Sequence, residues 1–197
     1  MCFVSYGQLG YENTDYFNDS TNFGVDIDFG SKIIEQIAVG DDYTCALTDD
    51  GRVLCWGLND NGQLGKGTTD TIGDGVLEMG DDLGIVTLGS DFNGYVTDIC
   101  VGGGHGCALN DNNEVKCWGK NDRGQLGQGD TDNRGDAGGE MGNHLDAIDF
   151  GDTFTPSYVV CGQEHTCAVS DADDIKCWGM LVMVVVTARS VSVYSAF

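Results

Sequence analysis

The sequence predicts an all-β fold, a β-propeller array of about three blades, and three observations carry that expectation. The 197 residues include 31 glycines and one proline, the composition of many tight turns joining short extended pieces. Motifs return at a spacing of 62 and then 60 residues, so one supersecondary unit is repeated. Each unit carries about four short β-branched runs separated by Gly- and Asp-rich turns, the pattern of a propeller blade. With 41% hydrophobic residues the chain has enough apolar side chains for a core.

The anchors of the repeat fix its period. "GQLG" begins at Gly7, at Gly62 and at Gly124, and "CWG" begins at Cys55, Cys117 and Cys177. Between them "TDTIGD" (69–74) aligns without gaps on "TDNRGD" (131–136), and "EMGDDL" (78–83) on "EMGNHL" (140–145). The array therefore fills residues 1–179, in units of about 2–54, 55–116 and 117–179, and residues 180–197 form a non-repeat tail.

Within a unit the first extended piece is "VDIDFG", "GIVTLG" or "DAIDFG", and the second is "IEQIAVG", "VTDICVG" or "SYVVCG". The third and fourth, "YTCALT" and "VLCWG" in the first unit, flank a turn and each holds one cysteine. If Cys45 and Cys55 oppose each other directly, the hairpin loop is Asp49-Asp50-Gly51, and the equivalent loops are Asp111-Asn112-Asn113 and Asp171-Ala172-Asp173. A three-residue hairpin loop needs a last residue that tolerates a left-handed backbone, and Gly, Asn and Asp are such residues. Directly opposed antiparallel residues have Cα atoms ~4.5–5.5 Å apart, within disulfide reach. Staples at Cys45–Cys55, Cys107–Cys117 and Cys167–Cys177 are thus favoured over reduced structural thiols. Metal or redox chemistry is the weakest reading, because no C-x-x-C occurs. Staples imply an oxidising compartment. Cys100 and Cys161 fall at adjacent, non-equivalent repeat positions, where the first unit has Ala38 and Val39, and read as small core residues. Cys2 reads as half of a hairpin pair whose partner preceded the chain.

Charge narrows the partners. Thirty-two Asp plus Glu against nine Lys plus Arg give a net charge of −23, which repels phosphate backbones and leaves basic protein patches and cations as candidates. No Ser/His/Asp arrangement, H-E-x-x-H or phosphate-cradling Gly loop occurs, so neither an enzyme nor a cofactor is expected. His105 and His165 share a repeat position with Tyr43 and read as aromatic hydrogen-bonding fillers. Trp56, Trp118 and Trp178 share another and read as packing between blades, since a nucleic-acid platform needs basic neighbours. "NDNG" and "NDRG" lack the glutamate of an EF-hand, no metal ligand set is assigned, and only a looser Asp-rich cation site stays open. Arg134-Gly135-Asp136 is an adhesion tripeptide in composition, but Ile72-Gly73-Asp74 and Asn18-Asp19 stand in the same turn, so the Gly-Asp belongs to the repeat.

"HTCAV…KCWG", "NDNGQLGKG" and "NDRGQLGQG" at this period resemble the regulator of chromosome condensation repeat family, over residues ~2 to 179. The resemblance implies a seven-bladed propeller, here incomplete at about three blades, whose neighbouring blades share strands of one sequence repeat. The cysteine-bearing units resemble its extracytoplasmic branch, which implies a secreted or cell-surface protein. No signal peptide is visible, and a truncated start is expected. The function implied is a non-enzymatic protein-interaction scaffold. The alternatives are an exchange factor for a small GTPase and a binder or inhibitor of a secreted enzyme. An exchange factor needs a loop insertion that units of 62 and 60 residues leave no room for.

Three further expectations concern partners. The acids Asp70, Asp74, Asp132 and Asp136 lie in loops that leave the sheet at one repeat position, and form a candidate rim for a basic partner; the bland alternative is solubility alone. Open blade edges are expected to self-associate. The tail has only six apolar residues in a row (181–186), far short of the ~20 of a membrane span. Read one nucleotide upstream, its first codons restore a Gly five residues after "CWG", so the tail is expected to be out of frame.

Overall fold

The computed structural model describes residues 6–14, 26–180, 184–187 and 190–193. Three antiparallel three-stranded sheets follow one another along the chain. The first holds β1 (Ile34–Val39), β2 (Tyr43–Thr48) and β3 (Val53–Gly57); the second, β4 (Val96–Val101), β5 (His105–Asn110) and β6 (Val115–Gly119); the third, β7 (Pro156–Cys161), β8 (His165–Ser170) and β9 (Ile175–Gly179). In each the middle strand is second in sequence. Among the described residues the helical content is two single 3-10 turns, Gly80–Asp82 and Gly142–His144. A separate hairpin pairs β10 (Val184–Thr187) with β11 (Ser190–Val193) in the tail.

The hairpins follow from their turns. Thr48 N donates to Arg52 O, Asn110 N to Glu114 O and Ser170 N to Asp174 O at 2.8–3.0 Å, leaving three-residue loops. Each loop ends in a left-handed residue, Gly51 (φ 75°), Asn113 (62°) or Asp173 (64°). These are the residues with the smallest penalty there. The register that results opposes Cys45 to Cys55, Cys107 to Cys117 and Cys167 to Cys177.

A continuous fourth strand is not formed. Of the segments expected to supply it, "GIVTLG" bridges the outer strand at one point, Ile85 to Leu54; the other two bridges, Ile72 to Gly57 and Arg134 to Gly119, come from the loop segments 69–74 and 131–136. Val86 N to Val53 O (2.7 Å) and Ile148 N to Val115 O (2.8 Å) extend the contact by one bond each. The Gly- and Asp-rich stretches between these points favour turns over a ladder. Sequence unit and blade are also out of phase, since the boundaries read at 54/55 and 116/117 cut through β3 and β6.

Alternation sorts the core into layers between blades. Tyr43, Cys45, Leu47, Val53 and Cys55 of the first blade face Val96, Ile99, Ala108 and Trp118 of the second. Cys107, Leu109, Val115 and Cys117 in turn face Val159, Ala168 and Trp178 of the third. The opposite face of the first blade, Ala46, Leu54 and Trp56, packs on Met79, Leu83, Ile27 and Phe29. Both faces of β2, β3, β5 and β6 are thereby buried.

Candidate functional site

Each seam between blades is latched by the residues that define the repeat. The indole Nε1 of Trp56 donates to Gln8 O (3.1 Å), that of Trp118 to Gln63 O (3.0 Å) and that of Trp178 to Gln125 O (2.9 Å). The acceptor is always the Gln of a "GQLG" one unit earlier. Leu64 and Leu126 of the same motif are fully buried. Asn59 and Asn121, also buried, hold it in shape: their Oδ1 accepts from Leu64 N and Leu126 N, and their Nδ2 donates to Thr68 O and Asp70 O, or to Asp130 O and Asp132 O. In the "NDxG" loops the Asn is therefore occupied by backbone, Asp60 is exposed, and Asp122 pairs with Lys120 (3.4 Å) and accepts from Gln125 Nε2 (3.4 Å). A cation ring does not assemble there.

A second row crosses the seams. The Tyr43 hydroxyl donates to His105 O, and His105 Nε2 meets Thr166 Oγ1 at 2.9 Å. Burial, then the charges of His165 and Lys120, push the His105 imidazole down to about 4; burial alone lowers His165. Burial raises the Tyr43 phenol well above its ordinary value. Neutral, closed-in rings of this kind fill space; His105 hydrogen-bonds through Nε2, while His105 Nδ1 and His165 Nε2 are buried without a hydrogen-bond partner.

The innermost strands are stitched by side chains that sequence reasoning passed over. The Gln36 amide spans the first seam, its Oε1 accepting from Ile99 N (3.2 Å) and its Nε2 donating to Ile99 O (3.1 Å) and Asp98 Oδ1 (3.0 Å). At the second seam Asp98 Oδ2 accepts from Val159 N at 2.9 Å. Lys116, 2% exposed, lies where Leu54 and Lys176 stand in the other units. Its Nζ donates to Leu88 O (2.9 Å), Asp91 Oδ1 (2.9 Å) and Gly142 O (3.2 Å). That hydrogen bond holds the Asp91 carboxyl below its ordinary value. A Lys that the third unit shares as Lys176, where the first has Leu54, could have been noticed; its three acceptors could not.

Sulfur bonds join Cys45 to Cys55, Cys107 to Cys117 and Cys167 to Cys177, each with Cα atoms 4.1 Å apart. A fourth joins Cys100 to Cys161, with Cα atoms 5.4 Å apart, and overturns the reading of those two as small core residues. They are offset by one position within their own blades, but β4 and β7 meet across the seam, and there the offset brings the two sulfurs together. Cys2, Asn18 and Asp19 lie outside the described residues, as do positions 181–183 of the stretch 180–184 on which the shifted-frame reading rests.

The two acidic loops are braced from within. Glu78 Oε2 accepts from Gly73 N and Gly75 N (2.8 Å each), and Glu140 Oε2 from Gly135 N and Ala137 N (3.0 Å each). The paired motifs "GD" and "EMG" are thus two ends of one closed loop. Each loop rests on the "GQLG" of the preceding unit so tightly that a Cβ on Gly62 would stand 2.3 Å from Asp136 N. Gly67, at the root of the first loop, touches Ala137 of the second, its Cβ position 3.4 Å from Ala137 O. Asp70, Asp74 and Asp132 are exposed, whereas Asp136 is half-buried and accepts from Asn133 Nδ2 at 3.1 Å. Arg134 folds back on its own loop, donating to Asp130 Oδ2 (2.7 Å) and Asp132 O (3.0 Å). With Gly135 buried as well, the Arg-Gly-Asp tripeptide is a turn and not a presented ligand.

Among the described residues no helix is long and apolar enough to cross a membrane. The four disulfides fit an extracellular location.

Comparison with known proteins identifies the repeat. The family model for the regulator of chromosome condensation (RCC1) repeat matches residues 34–63 and 96–125. The ultraviolet-B receptor UVR8 of Arabidopsis thaliana is 30% identical over 182 residues, 88% of this chain and 35% of its own. The probable E3 ubiquitin-protein ligase HERC4 of Homo sapiens is 30% identical over 146 residues, 74% of this chain and 12% of its own. The chain thus spans about a third of the first relative and about an eighth of the second. Among solved structures, human WBSCR16 superposes with a TM-score of 0.67 at 21% identity, over 89% of this chain and 40% of that one. Yeast RCC1 (Prp20), solved with Kap60 bound, gives a TM-score of 0.58 at 25% identity, over 79% of this chain and 31% of that one.

Proposed function

The chain carries RCC1 repeats, and from that premise we propose that it is a non-enzymatic protein-interaction scaffold, working in an oxidising extracellular setting, whose acidic loops receive a basic partner. The observation that supports this is the close approach of the two loops at Gly67 and Ala137, with Asp70, Asp74 and Asp132 exposed on them, which favours a single acidic band. Loops on a braced scaffold are where binding residues concentrate. Their own Asn and Glu side chains hold these loops in shape, so a partner meets a surface already ordered and loses little entropy in docking. Charges on such a band act over about one Debye length, ~8 Å at physiological salt, and speed encounter more than they raise affinity. His105 and His165 are buried between blades, which suits packing rather than catalysis. A structural neighbour, yeast RCC1 (Prp20), was solved with the protein Kap60 bound.

The test replaces Asp70, Asp74, Asp132 and Asp136 together with Asn and follows association with an immobilised lysine-rich peptide against ionic strength. The on-rate at low salt should fall several-fold and its salt dependence flatten. An unchanged rate and slope would leave solubility as the only role of these acids.

A further inference from the structure

The second blade differs from its neighbours in its sulfur chemistry. In the first blade Ala38 stands opposite Cys45, and in the third Val160 stands opposite Cys167. In the second, Cys107 on the middle strand has Cys117 directly opposite on β6 and Cys100 directly opposite on β4. Cys161 adds a fourth sulfur from the next blade. The Sγ atoms of Cys100, Cys107 and Cys161 all lie within 4.8 Å of one another, although they belong to two different disulfides.

We propose that these four cysteines form a thiol–disulfide exchange site that accepts a thiol nucleophile at Cys161 and passes the displaced charge to Cys117. Access sets the direction. Cys107 and Cys117 are fully buried and Cys100 is 9% exposed, whereas Cys161 is half-buried. An incoming thiolate attacks Cys161 Sγ, forms a mixed disulfide there, and displaces Cys100 as thiolate. Cys100 then attacks Cys107 Sγ, the Cys107–Cys117 bond breaks, and Cys117 leaves as thiolate and takes a proton from solvent. Two protein disulfides and one external thiol become one protein disulfide, one mixed disulfide and one protein thiol, with no net oxidation. The new Cys100–Cys107 bond joins directly opposed antiparallel residues, whose Cα separation of ~4.5–5.5 Å lies within the disulfide range. The outcome is structural: the covalent tie between β4 and β7 is lost, and the staple of the second blade moves from β5–β6 to β4–β5. A seam that was covalently closed is then held by packing and hydrogen bonds, among them Gly103 N to Gln163 O.

The repeat supplies the variants for the test, because Val39 and Val101 occupy the position of Cys161, and Ala38 that of Cys100. Cys161→Val leaves Cys100 reduced beside the intact staple. After equilibration at pH 8 without reductant, alkylation and peptide mapping should find a Cys100–Cys107 link and label at Cys117 as well as Cys100. Label at Cys100 with none at Cys117, and Cys107–Cys117 as the sole link, would overturn the proposal. Cys100→Ala should show label at Cys161 and an undisturbed Cys107–Cys117 bond; a Cys107–Cys161 link would overturn the assigned order. The unsubstituted protein, treated with limiting glutathione, should carry the adduct on Cys161 and a new thiol at Cys117. An adduct on Cys100 with Cys161 released would contradict the direction.

Discussion

Burial keeps the His105 imidazole neutral, and that has a sign. Its folded value of about 4 lies below the ordinary 6.5, so between those two pH values the unfolded chain binds the proton that the folded chain refuses. Stability from this group is full above 6.5 and is lost as pH falls toward 4; His165, lowered in the same direction, adds to the loss. His105→Tyr places there the residue that the first unit uses at Tyr43. Urea midpoints at pH 7 and 4.5 should show a decline smaller by roughly 2–3 kcal/mol in the variant. Equal declines would mean that the ring titrates as it does in water. The tryptophans offer a second comparison at this scale. Gln125 O accepts from both Trp178 Nε1 and Thr166 Oγ1, but in the second blade Gly106 stands where Thr166 does, and Gln63 O has only Trp118 as its side-chain donor. Trp118→Phe should therefore cost about 1–3 kcal/mol, and Trp178→Phe clearly less, in denaturant unfolding. Repeat position alone suggested both roles, and the hydrogen bond expected of the histidines is found at His105 Nε2 but not at His165 Nε2. The carbonyl that each indole meets was not legible, because a sequence repeat does not say which unit packs on which.

At the scale of the element, the stapled hairpin is the piece most fully written in the sequence. Constant cysteine spacing, a turn-compatible residue at Gly51, Asn113 and Asp173, and β-branched flanks all point one way, and local agreement of that kind specifies register. Peptide mapping without reductant should recover the three ten-residue links together with Cys100–Cys161. Converting Cys45 and Cys55 both to Ala should lower stability by about 2–3 kcal/mol, the loop-entropy value for so short a closure. A smaller loss would show that the tight turn already confines the unfolded hairpin. The outer edge of the blade was less legible. Residues such as Ile72 and Ile85 have strand-like side chains, yet each pairs at a single point, because glycines and aspartates on both sides divert the chain into the braced loops. The fourth disulfide was hidden for a related reason. Cys100 and Cys161 look mismatched when blades are compared position by position, and become partners only once β4 lies against β7.

For the whole molecule, the decisive quantity is what the array leaves uncovered at its two flanks. Ile99 on β4 is 3% exposed because the first blade covers it; Ile37, its counterpart on β1, is 55% exposed, with Ile33 at 62% and Val39 at 69%. At the other flank β9 is only half-buried where β3 and β6 are buried, with Met180 exposed beside it and Tyr158 exposed on β7. β1 and β9 are also the outer members of their sheets among the described strands. Each blade buries its apolar layer against the next, so a face without a neighbour is an adhesive surface. The two faces are complementary by construction, because β1 is equivalent to the strand that the third blade would cover next. Head-to-tail association follows, and such contacts either close into a ring or continue as a filament. We therefore expect the 197-residue chain to run in light scattering well above its 20.9 kDa mass, with the size rising with concentration. Ile37→Lys and Val39→Lys together should shift the population toward monomer by placing charge on the contact face, while leaving the strand itself paired with β2. A stable 20.9 kDa species before any substitution would show that the exposed isoleucines are too few to hold two copies together.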